Sequence, residues 1–367
     1  MKNSLEKRDT KGRYEYLDIA KGILILLVIR GHIRFAFLPA FLHEDSFYRV
    51  FHVTAFLVLG GLFLKDDLLD SPLKTLKKKY HSLFKKALYF FLPAVLLHNV
   101  FLDLNLYPHI EGKEAFMYFD GVKDWAIAIG KALTGMSFET MVQPTWFALT
   151  LFFAIVFISC LQWTLKKINM YSVMNMVTIM VALCVVSCLL THCKEIHTSG
   201  RIMSAISSMV LIYMGHLYWV STKDHFASTS LFFLCLFINI GITYTIGRNP
   251  YFMALISNVY NDPLTLIVGG LSGTYIVCYL GRLLESTKIG RALAVCGKES
   301  FYLMAMHMFF FRCLGLMFGK YFGLDMKVWE FKVDIYGFML LFLGSILLTL
   351  LFCFVKNRIA QFVASFQ

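Results

Sequence analysis

Lys21 and His32 have the residue types and the spacing for proton and acyl chemistry. They lie in a run that opens Arg13-Tyr14-Glu15-Tyr16-Leu17-Asp18-Ile19-Ala20-Lys21-Gly22, turns apolar over Ile23–Ile29 and closes on Arg30-Gly31-His32. At ~100° per residue the eleven steps between them sweep about 1100°, three turns plus roughly 20°, so on a helix both side chains leave one face. At ~1.5 Å per residue they stand about 16 Å apart along the axis. A cation and an imidazole on one stripe of a membrane helix are costly unless that stripe faces other helices or a wet cavity. The plainer reading is a Lys21 that snorkels to the interface and a His32 that is hydrogen-bonded for structure.

The class of the chain follows from composition. Of 367 residues, 58% are hydrophobic and only 16% charged, against roughly 25% charged in soluble domains. Mean hydropathy is +0.65. Apolar runs of near-membrane length recur to the end, which makes this an all-α polytopic membrane protein. The net charge of +12 falls mostly in segments on one predicted side, the positive-inside pattern, and does not imply nucleic acid. The nine cysteines sit mostly inside apolar segments without CxxC or zinc-like spacing. They read as small core residues and as neither a disulfide framework nor a metal site.

Ten transmembrane helices with both termini cytoplasmic are expected, near 17–37, 47–64, 87–105, 147–165, 172–191, 202–220, 229–247, 263–281, 300–318 and 334–355. One membrane domain, 17–355, lies between a cytoplasmic tail, 1–16, and a second, 356–367. The stretch from Lys65 to Lys86, with Lys74, Lys77, Lys78, Lys79 and Lys85 between, carries the strongest inner-side signal. Gly121–Met136 is partly amphipathic and suits the outer interface. Asn249-Pro250 and Asp262-Pro263 read as turn formers.

Ionisable residues inside such helices are the functional candidates. Counted along the helices, His32 and His52 fall at similar depth, each about five residues from an outer helix end. Arg30, Arg34 and Arg49 share that level, and His98 approaches it from the third helix. A neutral imidazole among cations is a reasonable general base, and the arginines would hold an oxyanion or an anionic group. His307, about seven residues into the ninth helix from its inner end, belongs by the same count to a different depth. Glu299-Ser300 reads as that helix's start, and Trp146 as a belt aromatic. Gly60-Gly61 and Gly269-Gly270 read as helix-packing sites. No Gly-rich phosphate loop, GxSxG, HExxH or Cys/His cluster is present.

Five segments in order resemble the membrane-bound acyltransferase 3 family, in particular its branch of fucose 4-O-acetylase-like sugar O-acetyltransferases. They are Arg13-Tyr14 through Lys21-Gly22 to His32, Phe51-His52 through Gly61-Leu62-Phe63, Lys85-Lys86 up to Pro93, Pro144 to Leu149, and Gly297-Lys298-Glu299-Ser300 to His307. Thr54 stands where the family usually has Pro, and Gly60 where it often has Ser, which implies a straighter second helix and a differently shaped acceptor pocket.

The resemblance implies acyl transfer from cytosolic acyl-CoA, usually acetyl-CoA, to a hydroxyl of a cell-surface or lipid-linked glycan, in a bacterial cell membrane and without a bound cofactor. Under it, His32 is the general base, in a direct or an acyl-enzyme route, and Lys21 orients the donor or polarises its carbonyl. His52, His307, Arg30 and Trp146 are substrate-binding candidates, and Lys85 and Lys86 would hold the CoA phosphates as point charges. The partners are then the acyl-CoA, the glycan and membrane lipid, with no nucleic acid. A transporter or flippase of a glycan intermediate is the competing reading, although no inverted repeat or paired broken helices support it. A sensor or assembly protein that kept the fold without the chemistry is a second.

Overall fold

The structure, a computed structural model, describes residues 14–35, 44–107, 117–136, 139–192, 200–222, 225–245, 253–322 and 331–364. Within them the chain is helical nearly throughout. In order it forms α1 (Glu15–Gly31), β1 (Ile33–Arg34), α2 (Glu44–Arg49), α3 (Thr54–Gly61), α4 (Asp66–Leu69) and α5 (Pro72–Lys79). A π-helical turn, Tyr80–Phe84, leads into α6 (Lys85–Leu96), α7 (His98–Asp103) and α8 (Val122–Leu133). A 3-10 turn, Thr140–Thr145, precedes α9 (Trp146–Lys167), which α10 (Val173–His192), α11 (Gly200–Ser221) and α12 (Thr229–Thr245) follow. Then come β2 (Met253–Ala254), β3 (Val259–Tyr260), α13 (Pro263–Leu284), α14 (Lys288–Lys298), α15 (Ser300–Phe322), β4 (Phe331–Lys332) and α16 (Ile335–Ala364).

Among the described residues, six helices are long and apolar enough to cross a membrane: α9 with its leading 3-10 turn, α10, α11, α13, α15 and α16. The shorter apolar α12 lies between α11 and α13. These seven coincide with the last seven expected crossings. Asp262-Pro263 turns the chain into α13, which starts at Pro263 as expected: Asp262 accepts from the Thr265 backbone N–H at 2.8 Å and its hydroxyl at 2.6 Å, with Pro263 in the first helical position where no N–H is needed. Ser300 opens α15 as expected. α16 runs on to Ala364, past the 355/356 tail boundary. Asn249-Pro250 lies outside the described residues.

The first three expected crossings differ from plain helices. α1 stops at Gly31 although the apolar run continues, because Arg30 donates to the carbonyls of Ile33 and Phe35 and β1 pairs in parallel with β4. His32 therefore closes the helix and does not sit five residues inside its end. The second crossing breaks over Val50–Val53, against the expectation of a straighter helix at Thr54. There Thr54 Oγ1 donates back to Val50 O and Phe51 O at 3.4 and 3.3 Å, and His52 Nδ1 to Tyr48 O at 3.1 Å. Such side-chain bonds offer the backbone an alternative to the helical ladder. The third divides at Leu97 between α6, with Pro93 inside it, and α7.

The chain forms two compact units. The first comprises 1–37, 88–145 and 286–367, and the second 38–87 and 146–285. In the first unit α1 lies along α14, and two glycines let their backbones touch. A Cβ on Gly22 would meet Leu293 O at 2.1 Å, and one on Gly297 would meet Asp18 O at 1.7 Å. In the second unit α3, α9, α10 and α11 share an apolar core. Gly61 and Gly215 serve as backbone contacts there, a Cβ falling 1.9 Å from Ile212 O and 2.2 Å from Val58 O. Gly269 is packed as tightly, with Val50 Cγ1 2.4 Å from where its Cβ would be. Small residues at helix crossings are expected where lipid supplies no hydrophobic drive. The eight described cysteines are unbridged and six of them are buried; Cys193 lies outside the described residues.

Candidate active site around His32 and His307

His32 follows the last residue of α1 and stays near-helical, φ −93° and ψ 0°. Its backbone N–H donates to Ile29 O at 3.2 Å, so it keeps the direction that the helix gives it. Arg30, on the last turn, is buried and turned onto the backbone just beyond His32, with the Phe338 ring 5.9 Å from its guanidinium. A cation at a helix C-terminus also opposes the negative end of the helix dipole. The imidazole of His32 is half-buried.

Against it lies His307 of α15, their ring centres 5.2 Å apart and their planes tilted by 42°. His307 is fully buried. Its Nδ1 donates to Leu303 O at 2.8 Å, and its Nε2 is buried without a hydrogen-bond partner. Counting along the helices puts these two histidines at different depths. The structure corrects that, and α14 is the reason. The count treats 288–298 as an inner loop, whereas it is a helix packed on α1 at Gly22. α15 follows almost directly on Gly297, which packs against Asp18 and Gly22 of α1, and seven residues into it the His307 ring lies beside His32.

Lys21 lies on α1 as expected, about three turns before His32. Its ammonium is 3.3 Å from Asp18 Oδ1, one turn back, with the carboxylate almost wholly buried and the lysine side chain 32% exposed. The charge is thus held within the motif itself. Asp18 Oδ2 is buried without a hydrogen-bond partner.

His98 and Glu139 of the same unit form a second polar cluster. His98 Nδ1 is 3.2 Å from Glu139 Oε2, its Nε2 donates to Met117 O at 3.0 Å, and the ring stacks on Phe119 at 4.0 Å. Tyr107 also donates to Glu139. The sequence singles out His98. It does not single out Glu139, which reads as one acid of a long outer loop and is set apart only by its place just before an apolar run. Arg312, fully buried in α15, stands out in the sequence as an intramembrane cation without a role.

The remaining candidates belong to the second unit. His52 lies in the break between α2 and α3, half-buried, with its ring edge-on to Tyr48 at 5.6 Å. Trp146 opens α9 and packs at the margin of the apolar core, 6.0 Å from the Phe147 ring. Lys85 and Lys86 open α6 and are exposed. The side chain of Arg34 lies outside the described residues.

Fold and site together define an all-α multi-pass membrane protein with a histidine pair at the end of its first helix. The chain belongs to the acyltransferase 3 family, whose acyltransferase-domain model matches residues 14–358, nearly the whole length. That membership makes it a membrane acyltransferase. No curated protein and no solved structure matches the chain.

Proposed function

We propose that the protein is an O-acyltransferase that moves an acyl group, most simply acetyl, from cytosolic acyl-CoA to a hydroxyl of a cell-surface or lipid-linked glycan. The observation that carries this reading is the placement of His32, a half-exposed imidazole held at the end of a membrane helix in a chain of this family. His32 takes the proton of the acceptor hydroxyl as its oxygen attacks the thioester carbonyl. The C–O bond forms, the C–S bond breaks, and His32 returns the proton to the departing CoA sulfur.

Lys21 stands on the donor side of the same helix and draws the thioester carbonyl or the pantetheine arm toward His32. Lys85 and Lys86, exposed at the start of α6, suit the CoA phosphates. His52 and Trp146 contact the acceptor or donor, and Arg30 acts by shaping the backbone next to the base. In this reading the chain crosses a bacterial cell membrane ten times with both termini in the cytoplasm, α1, the broken second and third segments and α12 completing the set. Lipid surrounds it, and no cofactor is retained between turnovers.

The test is thioester turnover. Membranes containing the protein and its acceptor should release free CoA from acetyl-CoA and gain acetyl ester on glycan in equal amounts. Glycan movement without thioester cleavage would instead make the protein a transporter.

A further inference from the structure

The fold treats the two ring nitrogens of His307 differently. A carbonyl oxygen only accepts, so the 2.8 Å contact with Leu303 O puts the proton on Nδ1. Nε2 is then a bare lone pair, buried and without a partner. An unmet buried acceptor costs on the order of 1–3 kcal/mol, which an apolar side chain of similar size would avoid. Beside it stands His32, 5.2 Å from ring centre to ring centre. Imidazole nitrogens lie roughly 1.2 Å from the ring centre, so two rings joined by an N–H···N bond of ~2.9 Å stand about 5.3 Å apart when collinear. The two rings need only turn to meet, not approach.

We propose that Nε2 of His307 accepts an N–H of His32, making His307 a positioning residue that fixes the tautomer and direction of the base. The inference rests on the reading of His32 given above. With one nitrogen of His32 held as N–H toward His307, the other is left bare for the acceptor's hydroxyl proton. When His32 takes up that proton, its N–H···Nε2 bond becomes charge-assisted and strengthens. The gain arises on the way to the transition state and not in the resting enzyme. His307 keeps its own Nδ1 proton throughout and touches neither substrate. A neutral acceptor in this place orients the base without adding a buried anion.

The experiment compares wild type, His307→Leu, His307→Gln and His32→Ala in membranes of a deletion strain that carry the native acceptor, following CoA release from acetyl-CoA. Loss of the acceptor in His307→Leu should lower kcat on the order of 100-fold while KM for acetyl-CoA stays within about twofold. His307→Gln retains an accepting oxygen and should recover at least a tenth of wild-type kcat, roughly 1.4 kcal/mol or less from wild type. A Leu variant with wild-type kcat overturns the proposal, and so does a Gln variant as slow as Leu. If His32→Ala keeps full kcat, the reading of His32 falls and the inference with it. If His32→Ala is inactive while His307→Leu is normal, only the inference falls. Should the Leu variant not accumulate, 15N-histidine NMR of wild type decides. A nitrogen–nitrogen coupling across the hydrogen bond supports the pair, and uncoupled rings with His32 in mixed tautomers contradict it.

Discussion

Two buried histidines of the first unit have opposite surroundings. Both ring nitrogens of His98 face oxygen acceptors, Glu139 on one side and Met117 O on the other, and an aromatic ring covers its face. That is the donor pattern of an imidazolium paired with a carboxylate. His307 has one nitrogen tied to its own helix and the other unmet, with a half-exposed second histidine as its neighbour. A polar cluster with every group satisfied rigidifies the fold, whereas an unsatisfied one lowers stability and persists for another reason. Residue type alone does not separate the two cases. The count of met and unmet ring nitrogens does.

The largest effect is expected at Glu139. Glu139→Ala leaves His98 buried opposite no carboxylate, and removing one partner of a buried pair costs about 3–5 kcal/mol. The protein should lose much of its Tm in detergent or fail to accumulate. Replacing His98 and Glu139 together by apolar residues should cost clearly less than the two single changes summed. His307→Leu, which gives up one neutral hydrogen bond to His32, should cost stability only about 1 kcal/mol, yet be slow. If Glu139→Ala proves neutral in a melting experiment, the structural reading of His98 is wrong.

A smaller effect is expected at the glycine contact that sets the level of His307 against His32. Gly297→Val presses a side chain onto Asp18 O and the Gly22 backbone. Overpacking of this kind costs about 1–3 kcal/mol, and it should push α14 away from α1 and move His307 off His32. Turnover should therefore fall by more than the melting shift alone explains. A variant with lowered Tm and unchanged kcat would show that this register does not matter.

The smallest change falls in the second unit, which holds neither the His32–His307 pair nor the His98–Glu139 pair. Asp262→Ala removes the cap of α13, worth about 1 kcal/mol, and should leave kcat as it is. Burial pushes the Asp262 carboxyl up, but the bonds from Thr265 and Asn261 more than offset this and hold it below the usual carboxylate range. A group depressed on folding stabilises the native state above its unfolded pKa and loses that contribution as pH falls through the folded one. The melting difference between wild type and Asp262→Ala should thus be present at neutral pH and vanish in acid.

Much of the scaffold was legible because hydropathy is a property of continuous segments, and the last seven expected crossings each coincide with one helix. Helix ends were less so. Ile33 and Phe35 are as apolar as Ile23, and hydropathy alone does not mark Gly31 as an end. The end depends on Arg30 reaching two carbonyls and on a strand partner at Phe331–Lys332, close to three hundred residues away in sequence. Lys21 and His32 could be placed on one helix from spacing alone. The pairing of His32 with His307 could not, since it depends on α14 packing through Gly22 and Gly297. The link between His98 and Glu139 spans 41 positions, with no periodicity to announce it.

The most direct measurement is the O-acetyl content of the surface glycans, by NMR, in a deletion strain carrying either wild type or His32→Ala at matched membrane levels. The account predicts that wild type restores O-acetyl groups and His32→Ala does not, with unacetylated glycan still exported. Equal restoration by both would contradict it, leaving His32 a structural residue and the proton transfer assigned to it without a base.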